Sequence, residues 1–289
     1  VIVPHHIEHK SINYIVTGIA GSYSSEKLIG SLNFPENSEV RTIYPNSFYC
    51  SVINHLYIPK SLTELKSRWC YQANNLTTFT ISKLNKNFQF INNQLLLGKS
   101  DPKSDDFDVL LFSVRSITNV TIPKNIKIIS HSAFYNCKKL SSIVFPTNSK
   151  LSIIESIAFS SSGLCRISIP PHLSKIGNYA FSSCGNLKVV FIPENSELKS
   201  IGSFAFQYTK VSKIFIPQSL TELENGWNGN AYDLHSLEVS PLNKNFLYKH
   251  KKFLLGKTDP KSDNFDVLLY SNHNVSEAFI PPYIKVISE

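Results

Sequence analysis

The chain has 289 residues, of which 42% are hydrophobic, so it can bury a large core and lacks the composition of a disordered or collagen-like protein. No run of about 18 or more apolar residues occurs, which excludes a membrane-spanning helix within it. The net charge is +8, and lysine far outnumbers arginine among the 29 basic residues. Proteins that read nucleic acids rely on bidentate arginine contacts. The charge therefore argues against nucleic acid and suits a glycosaminoglycan, an anionic cell surface or plain solubility equally well.

The chain contains no methionine, and Val1 does not begin a charged-then-apolar leader. We therefore interpret it as a fragment or mature segment of a longer protein, with any signal peptide or membrane anchor outside it.

A proline follows an apolar residue at regular intervals, which is the first sign of an internal repeat. Most intervals are 23 or 24 residues, and two are 64 residues. Two further copies without proline end at Ser82 and Ser240, and PHHI at Pro4 resembles PPHL at Pro170, which adds another turn at the start. The prolines that define the period are Pro35, Pro59, Pro123, Pro146, Pro170, Pro193, Pro217 and Pro281.

Each of the ten copies carries apolar residues six, three and one positions before the proline position, as at Leu164, Ile167 and Ile169. All thirty of these positions are apolar. The last two are separated by two residues, so their side chains share one face of an extended segment. This LxxIxIP pattern predicts one short strand in each coil of a leucine-rich repeat solenoid.

Apolar residues also follow the proline at two fixed distances, as at Leu173 and Ile176, or at Leu198 and Ile201 where two residues are inserted. The insertion shifts both positions together, as a loop outside a fixed core should. A large aromatic residue follows, preceded by alanine in four of five copies, and it fills the wide part of the coil. These residues are Phe48, Phe134, Phe159, Phe181 and Phe206, with Trp69 and Trp227 nearby in two other copies.

Each 64-residue interval holds one normal coil and about 40 residues more. The stretch DPKSDDFDVLLF at 101–112 recurs as DPKSDNFDVLLY at 259–270, an offset of 158 residues. Short alternating segments flank two-residue turns at Asn92-Asn93 and His250-Lys251, which predicts one β-hairpin in each copy.

These patterns predict a single solenoid over residues 1–289, with about 10–11 coils of 23–24 residues, mainly short β-strands and turns, and little helix. Hairpin insertions are expected at about 83–117 and 241–275, related by the 158-residue higher-order repeat. We expect both hairpins to project from the arc.

The full pattern LxxIxIPxxIxxIxxxAFxxC, carried by residues 121–146 and 168–193, resembles the BspA-like (treponemal-type) leucine-rich repeat family. The segment LNKNF, present twice, resembles part of the cassettes that often interrupt these repeats. The resemblance covers nearly the whole chain, departs at 5–30, and keeps the last cysteine of AFxxC only at Cys137 and Cys184. It implies a curved right-handed solenoid on a microbial surface, used for adhesion to host cells or matrix proteins, and it brings no catalytic residues.

Two residues before the proline, the side chain should point away from the core. Phe191 and Phe215 occupy this position on adjacent strands, with Val189 two residues earlier on the same face. An exposed apolar patch of this kind often marks a contact surface. The alternative is that the two rings only stack and flatten the sheet. Tyr57 and Phe279 occupy the same column in other coils, and we include them in the candidate binding surface.

The second predicted hairpin carries a run of lysines, in which Lys249, Lys251 and Lys252 surround His250. One interpretation is a site for a sulfated glycan or an anionic surface. The alternative is a solvated hairpin tip without a ligand.

An acidic loop in the first insertion could hold Ca²⁺ through its carboxylates, although its spacing fits no known calcium loop and such residues are ordinary in turns. The aspartates are Asp101, Asp105, Asp106 and Asp108. His5, His6 and His9 lie near the start of the chain, where we expect no metal site. We predict neither a metal nor a cofactor.

Cys137 and Cys184 share one repeat position two coils apart, at about 9–10 Å, which is too far for a disulfide. We predict that both are buried free thiols, and no cysteine spacing matches a zinc or redox motif. Glycosylation sequons at Asn75, Asn119 and Asn274 are consistent with a secretory route.

No Ser/His/Asp order, GxSxG, HExxH or phosphate loop occurs, so we predict a protein that is not an enzyme. The expected function is that of a cell-surface or secreted protein that binds host cells or extracellular-matrix proteins, with a sulfated glycan as a further candidate partner. Two alternatives stay open: a spacer that displays other domains, and a hydrolase built on the solenoid, because fold alone does not exclude one.

Overall fold

The computed structural model describes residues 2–21, 30–272 and 279–288. Across these ranges the chain forms a β-solenoid of about 11 coils, and no helix in them could cross a membrane. We number the strands in chain order. They fall into a front row, a side row, two inserted cassettes and an N-terminal hairpin.

The front row contains the strands that the LxxIxIP pattern predicts. Inward positions such as Ile167 and Val190 are buried. The residues on either side of each of them in the strand are exposed and face outward. Neighbouring coils place equivalent residues side by side in parallel register, for example Ser168 beside Phe191. The described strands of this row are β4 (Ser31–Leu32), β6 (His55–Ile58), β8 (Thr78–Ile81), β12 (Asn119–Thr121), β14 (Ser142–Val144), β16 (Arg166–Ser168), β18 (Val189–Phe191), β20 (Lys213–Ile216) and β22 (Ser236–Val239).

The side row is formed by the apolar residues that follow the proline. Ile154, Ile176 and Ile201 are each fully buried and lie in register on consecutive coils. The described strands of this row are β3 (Gly18–Ile19), β5 (Thr42–Ile43), β7 (Glu64–Leu65), β13 (Ile128–Ile129), β15 (Ile153–Ile154), β17 (Lys175–Ile176), β19 (Ser200–Ile201), β21 (Glu222–Leu223) and β26 (Val286–Ile287).

The repeat pattern predicts that Ile280 and Ile287 are buried in the core, and this prediction is wrong. Ile280 is 45% exposed and Ile287 is 61% exposed, and both belong to the last described coil. A solenoid coil buries its apolar edge only against its neighbours, so a coil with a neighbour on one side stays open on the other. The predicted inward residues Ile29, Val275 and Ala278 lie outside the described residues.

A corner with inter-coil hydrogen bonds forms the third side of each coil. The rings of Phe134, Phe159, Phe181 and Phe206 stack with centroids 4.9, 5.2 and 5.5 Å apart. Above them the backbone donates every second N–H to the next coil, as from Phe134 to the Ala158 carbonyl at 2.7 Å. The corner thus adds backbone pairing to the stacking of the aromatic rings.

The N-terminal residues form the additional turn that the PHHI resemblance predicts. The N–H of Val3 donates to the Asn33 carbonyl at 2.9 Å, and β3 pairs with β5 in parallel. The longer insertion of this turn is a hairpin, β1 (His6–His9) and β2 (Ile12–Ile15), whose residues are all exposed.

Both predicted cassette hairpins are present, with the two-residue turns where the sequence places them. Asn92 and Asn93 have φ values of 52°, and His250 and Lys251 have values of 56° and 54°, as a tight hairpin turn requires. The strands of the cassettes are β9 (Gln89–Ile91), β10 (Leu95–Gly98), β11 (Val109–Ser113), β23 (Leu247–Lys249), β24 (Phe253–Gly256) and β25 (Val267–Ser271).

The expectation that the hairpins project from the arc is wrong. All four residues of β10 are buried, and β10 pairs with β11 in antiparallel register. β11 then pairs with β13 in parallel, so the first cassette extends the side row as an eight-stranded sheet. The hairpin lies inside the solenoid wall because its apolar strands need the same burial as the coils.

A buried asparagine closes each cassette onto the coil before it. The Nδ2 of Asn85 donates to the carbonyls of Pro59 and Leu62 at 2.7 and 2.9 Å. Asn243 makes the equivalent bonds at 2.6 and 3.0 Å. The amide thus supplies donors to carbonyls at the point where the regular repeat is interrupted.

A buried aspartate closes the acidic loop of each cassette. Asp108 accepts hydrogen bonds from the Ser100 N–H and hydroxyl at 2.8 and 2.7 Å, and the Lys127 ammonium lies 3.0 Å from it. Burial alone would raise the pKa of Asp108, but these bonds outweigh it and lower that pKa. Asp266 has the same environment, in which the Thr258 N–H and hydroxyl and Lys285 lower its pKa.

At the corner, Arg115 donates a hydrogen bond at a place where no neighbouring coil is available to do so. In uninterrupted coils, the carbonyl of the alanine before the corner phenylalanine accepts a hydrogen bond from a backbone N–H of the preceding coil. The cassette stands where that preceding coil would be, so Ala133 lacks this donor. The Ala133 carbonyl instead accepts from the Ser113 N–H at 2.9 Å and from Arg115 Nη1 at 3.0 Å. The buried guanidinium also lies 4.3 Å from the centre of the Phe112 ring. Arg115 therefore caps the backbone edge that the insertion exposes.

We expect Arg115→Met to lower the free energy of unfolding by about 1–3 kcal/mol, because buried carbonyls lose a donor. Arg166→Met is the matched control, since Arg166 is exposed on β16 and should tolerate the change. Urea unfolding of both variants measures the difference. Equal midpoints for the two variants would contradict the capping role.

The buried aspartates predict acid sensitivity. Their folded-state pKa values are lowered, so their contribution is complete above the unfolded value of about 3.9 and is lost as the pH falls through the folded value. We expect Asp108→Asn to reduce the melting temperature at pH 7 and to flatten its decline below about pH 4. Asp105→Asn, at an exposed position of the same loop, is the control. An unchanged acid slope in Asp108→Asn would refute this account.

Candidate functional site

The outward face of the front row is polar over most of its length. Thr80, Thr121 and Ser168 occupy the outward column on successive parts of the row and are all exposed. The predicted outward orientation is thus observed, and these three side chains are short hydroxyls. The apolar residues of β18 and β20 stand out against this background.

A groove lies between β18 and β20, with a volume of about 500 Å³. Val189 and Phe191 form one wall and are 53% and 58% exposed. Phe215 forms the other wall and is half-buried against the core. The front row pairs β16 with β18 and β20 with β22, but β18 and β20 are not joined as strands. The groove lies at one such break in the backbone ladder, and a second break separates β14 from β16.

Charged residues border the apolar walls of this groove. Lys188 precedes β18 and Glu194 follows it, so opposite ends of the strand carry opposite charges. Lys213 on the facing strand forms an ion pair with Glu238, with Nζ and Oε2 2.6 Å apart. The sequence predicted the apolar walls of the groove but not these charged residues at its edge. The available signal was that Lys213 shares the outward register of Val189.

Tyr57 and Phe279 do not join this groove. Tyr57 lies on β6 beside Thr80 and is half-buried. Phe279 is 92% exposed in the last described coil. The predicted surface therefore separates into one contiguous groove and two isolated aromatic residues.

The lysine-bearing hairpin forms a second groove with the coil that follows it, with a volume of about 510 Å³. Lys249 is half-buried, and its Nζ donates to the Tyr283 hydroxyl at 2.8 Å and lies 5.0 Å from the ring centre. Lys251 and Lys252 are exposed at the turn. Phe265 and Tyr283 line the groove, and sequence reasoning missed both because they come from separate segments.

The aspartates that could hold Ca²⁺ in the acidic loop do not come together as a metal site. Asp108 points inward to Ser100 and Lys127, and Asp101 accepts the Lys103 N–H at 2.9 Å. Within the described ranges no three His, Cys, Asp or Glu side chains are placed to hold a metal ion. These carboxylates shape the loop.

A smaller cavity of about 260 Å³ beside the first cassette contains polar side chains that could suggest catalysis. His131 Nδ1 lies 2.7 Å from the Ser132 hydroxyl, and Glu155 is close by. Glu155, however, accepts from the backbone N–H of His131 at 2.7 Å and not from its ring. Burial, with a contribution from Arg68, lowers the pKa of His131 to about 4. Because Ser132 is buried and the carboxylate does not orient the imidazole, this arrangement is not a catalytic triad.

The cysteines divide into buried and exposed groups. Cys137 and Cys184 are buried free thiols, as predicted, and Cys70 is buried as well. Burial raises the pKa of Cys70 to about 12 and of Cys184 to about 11, so both stay protonated at neutral pH. Cys50 and Cys165 are exposed.

The solved structure of a leucine-rich repeat protein from Eubacterium ventriosum is similar to this chain, with a TM-score of 0.64, 21% identity, and coverage of 77% of this chain and 64% of that one. A leucine rich cell surface protein from Faecalibacterium prausnitzii has a TM-score of 0.48 and 19% identity over 98% of this chain and 57% of its own. The pneumococcal vaccine antigen PcpA has a TM-score of 0.44 and 14% identity over 84% of this chain and 72% of its own.

The chain spans less than two thirds of the length of the first two of these proteins. Identities at this level show the fold alone. Among curated proteins, none matches the chain significantly.

A sequence model of the BspA type leucine rich repeat region matches residues 10–97 and 109–234, in six copies. These ranges contain most of the chain, including most of the coils, the corner and much of the first cassette described above. The chain belongs to the BspA-type leucine-rich repeat family.

Proposed function

We propose that this chain is the protein-binding part of a cell-surface or secreted adhesin, and that the groove between β18 and β20 docks a host-cell or matrix protein. The observation that carries the proposal is the exposure of Phe191 and Val189 together in one groove of a mostly polar face. Exposed aromatic residues in a groove are typical of binding hot spots.

The charges at the groove define what it would accept. Lys188 and Glu194 lie at opposite ends of β18, and the apolar walls lie between them. An extended segment of a partner protein would place apolar side chains in the groove, an acidic residue near Lys188 and a basic residue near Glu194. Such complementarity fixes the direction of the bound segment.

Two observations support a location at a surface. The similar protein from Faecalibacterium prausnitzii is described as a cell surface protein, and PcpA as a vaccine antigen. Asn75 and Asn119 are exposed, as glycosylated sequons must be, whereas Asn274 lies outside the described residues. Asn119 is on β12, with β14 and β16 between it and β18.

The groove favours binding over the two alternatives. A spacer needs only a polar arc, and apolar residues exposed on it would reduce its solubility without benefit. A hydrolase needs a cleft with convergent acid and base groups. The acidic residues of the groove are separated, and Glu238 is paired with Lys213.

We expect the Val189→Ala/Phe191→Ala variant to bind cultured epithelial cells or immobilised matrix proteins at least about tenfold more weakly, because truncating hot-spot residues costs more than about 1.4 kcal/mol. Val144→Ala is the matched control, since Val144 is 50% exposed on the same face and outside the groove. Both proteins should keep the wild-type melting temperature. Binding is measured with excess heparin present, so that electrostatic attachment does not contribute.

Wild-type affinity in the double variant, with its melting temperature retained, would exclude the groove as the docking site. Absence of binding by the wild-type chain to cells and to matrix proteins would favour the spacer.

A further inference from the structure

The two cassettes are an internal comparison, because one scaffold occurs twice in the same chain. Asn85 and Asn243 make the same bonds, and so do Asp108 and Asp266. Residues 91–94 and the equivalent residues 249–252 at the hairpin turns differ at every position, so their identities are not needed for this scaffold. Their differences can report on what each surface does.

Residues 89–95 of the first hairpin all differ from the equivalent residues 247–253, whereas the acidic loop that follows differs at only two positions. Residues 91–108 contain two lysines and four aspartates, whereas the equivalent residues 249–266 contain five lysines and three aspartates, so the net charge changes from −2 to +2. The three added lysines follow one another around a single turn. The equivalent pairs are Ile91 and Lys249, Asn93 and Lys251, and Gln94 and Lys252.

The groove itself also differs between the copies. In the first cassette Asn125 donates from Nδ2 to the Phe107 carbonyl at 2.6 Å and ties the coil to the loop. In the second cassette Tyr283 stands at the equivalent position, is 44% exposed, and forms a wall of the groove. The groove thus has an aromatic side that the first cassette lacks.

We propose that the second cassette binds a sulfated polysaccharide along the groove beside Tyr283. Lys249 Nζ and Lys257 Nζ lie over the Tyr283 and Phe265 rings, 5.0 and 4.7 Å from the ring centres, and the remaining ring surface contacts the C–H groups of the sugar. Asp263 and Asn264, which line the same groove, supply an acceptor and an amide for sugar hydroxyls. The exposed Lys251 and Lys252 pair with sulfate groups at the turn.

The arrangement disfavours other polyanions. A flat anionic lipid surface would contact the lysines at the tip without using the concave groove. Lysine lacks the planar fork with which arginine reads bases, so nucleic acid does not fit well either. A sulfated sugar chain uses the cations, the aromatic walls and the hydroxyl partners together. This site is separate from the groove between β18 and β20, so each can fail without the other.

The test uses the whole chain and heparin oligosaccharides of defined length in calorimetric titrations. The K249I/K251N/K252Q variant installs the residues of the first cassette, so the hairpin scaffold tolerates them. We expect it to bind heparin at least tenfold more weakly than the wild-type chain. The slope of log affinity against log salt concentration should also be shallower than for the wild-type chain, by up to about three. The reason is that binding without these lysines displaces fewer counterions.

Two further variants separate charge from groove shape. Y283N installs the asparagine of the first cassette, and we expect it to weaken heparin binding about threefold to tenfold while leaving the salt slope unchanged. The reciprocal I91K/N93K/Q94K change, made in the K249I/K251N/K252Q background, moves the charges to a cassette without the aromatic wall. It should restore only part of the affinity.

The proposal is overturned if K249I/K251N/K252Q binds heparin as the wild-type chain does. It is equally overturned if Y283N has no effect and the reciprocal variant recovers full affinity, since charge alone would then explain binding. Tighter binding to vesicles of anionic phospholipid than to heparin would identify a membrane surface as the partner instead. Equal binding to desulfated heparin would exclude recognition of sulfate.

Discussion

Every coil of this protein must complete its backbone hydrogen bonding and its apolar core against the coil on either side of it, because no coil has a core of its own. Parallel backbone pairing meets this requirement at the side row, at the corner and along the paired segments of the front row. The stacked rings of Phe134, Phe159, Phe181 and Phe206 occupy the space enclosed by the ladders. Since all these contacts repeat at the coil spacing, a change in one coil is felt mainly by its two neighbours.

An insertion into such an array is costly unless it supplies the contacts that it interrupts. The first cassette does so by sending β11 into the side row and by offering Ser113 and Arg115 to the Ala133 carbonyl at the corner. Asn85 supplies the equivalent donors on the other flank of the cassette. These anchors point inward, which leaves the outer surface of the cassette free to change. The charge reversal between the two copies is an instance of that freedom.

The two proposed binding surfaces rest on different physical effects. The groove between β18 and β20 relies on the removal of Phe191 and Val189 from water, which responds little to salt. The second cassette relies on lysines at a hairpin turn, whose attraction for anions is screened at physiological ionic strength. A chain with both surfaces could be held near an anionic cell coat by one and bind a specific protein through the other.

The sequence alone determined the fold of the solenoid in considerable detail. The registers of LxxIxIP and of the following apolar pairs identified which residues are buried, because a period of 23–24 residues leaves only one stacking arrangement that hides all of them. The hairpin turns at Asn92-Asn93 and His250-Lys251 followed from local backbone preference. Phe191, Phe215 and Val189 were assigned to one face by strand alternation alone.

Tertiary structure decided what depends on contacts between distant segments. Strand alternation could not show that the ladder breaks between β18 and β20, nor that the hairpins lie within the wall, because pairing partners are chosen in three dimensions. Tyr283 reaches Lys249 across 34 residues, and Arg115 reaches Ala133 across 18. No periodic pattern identifies such pairs, because each occurs at a cassette, where the repeat is interrupted.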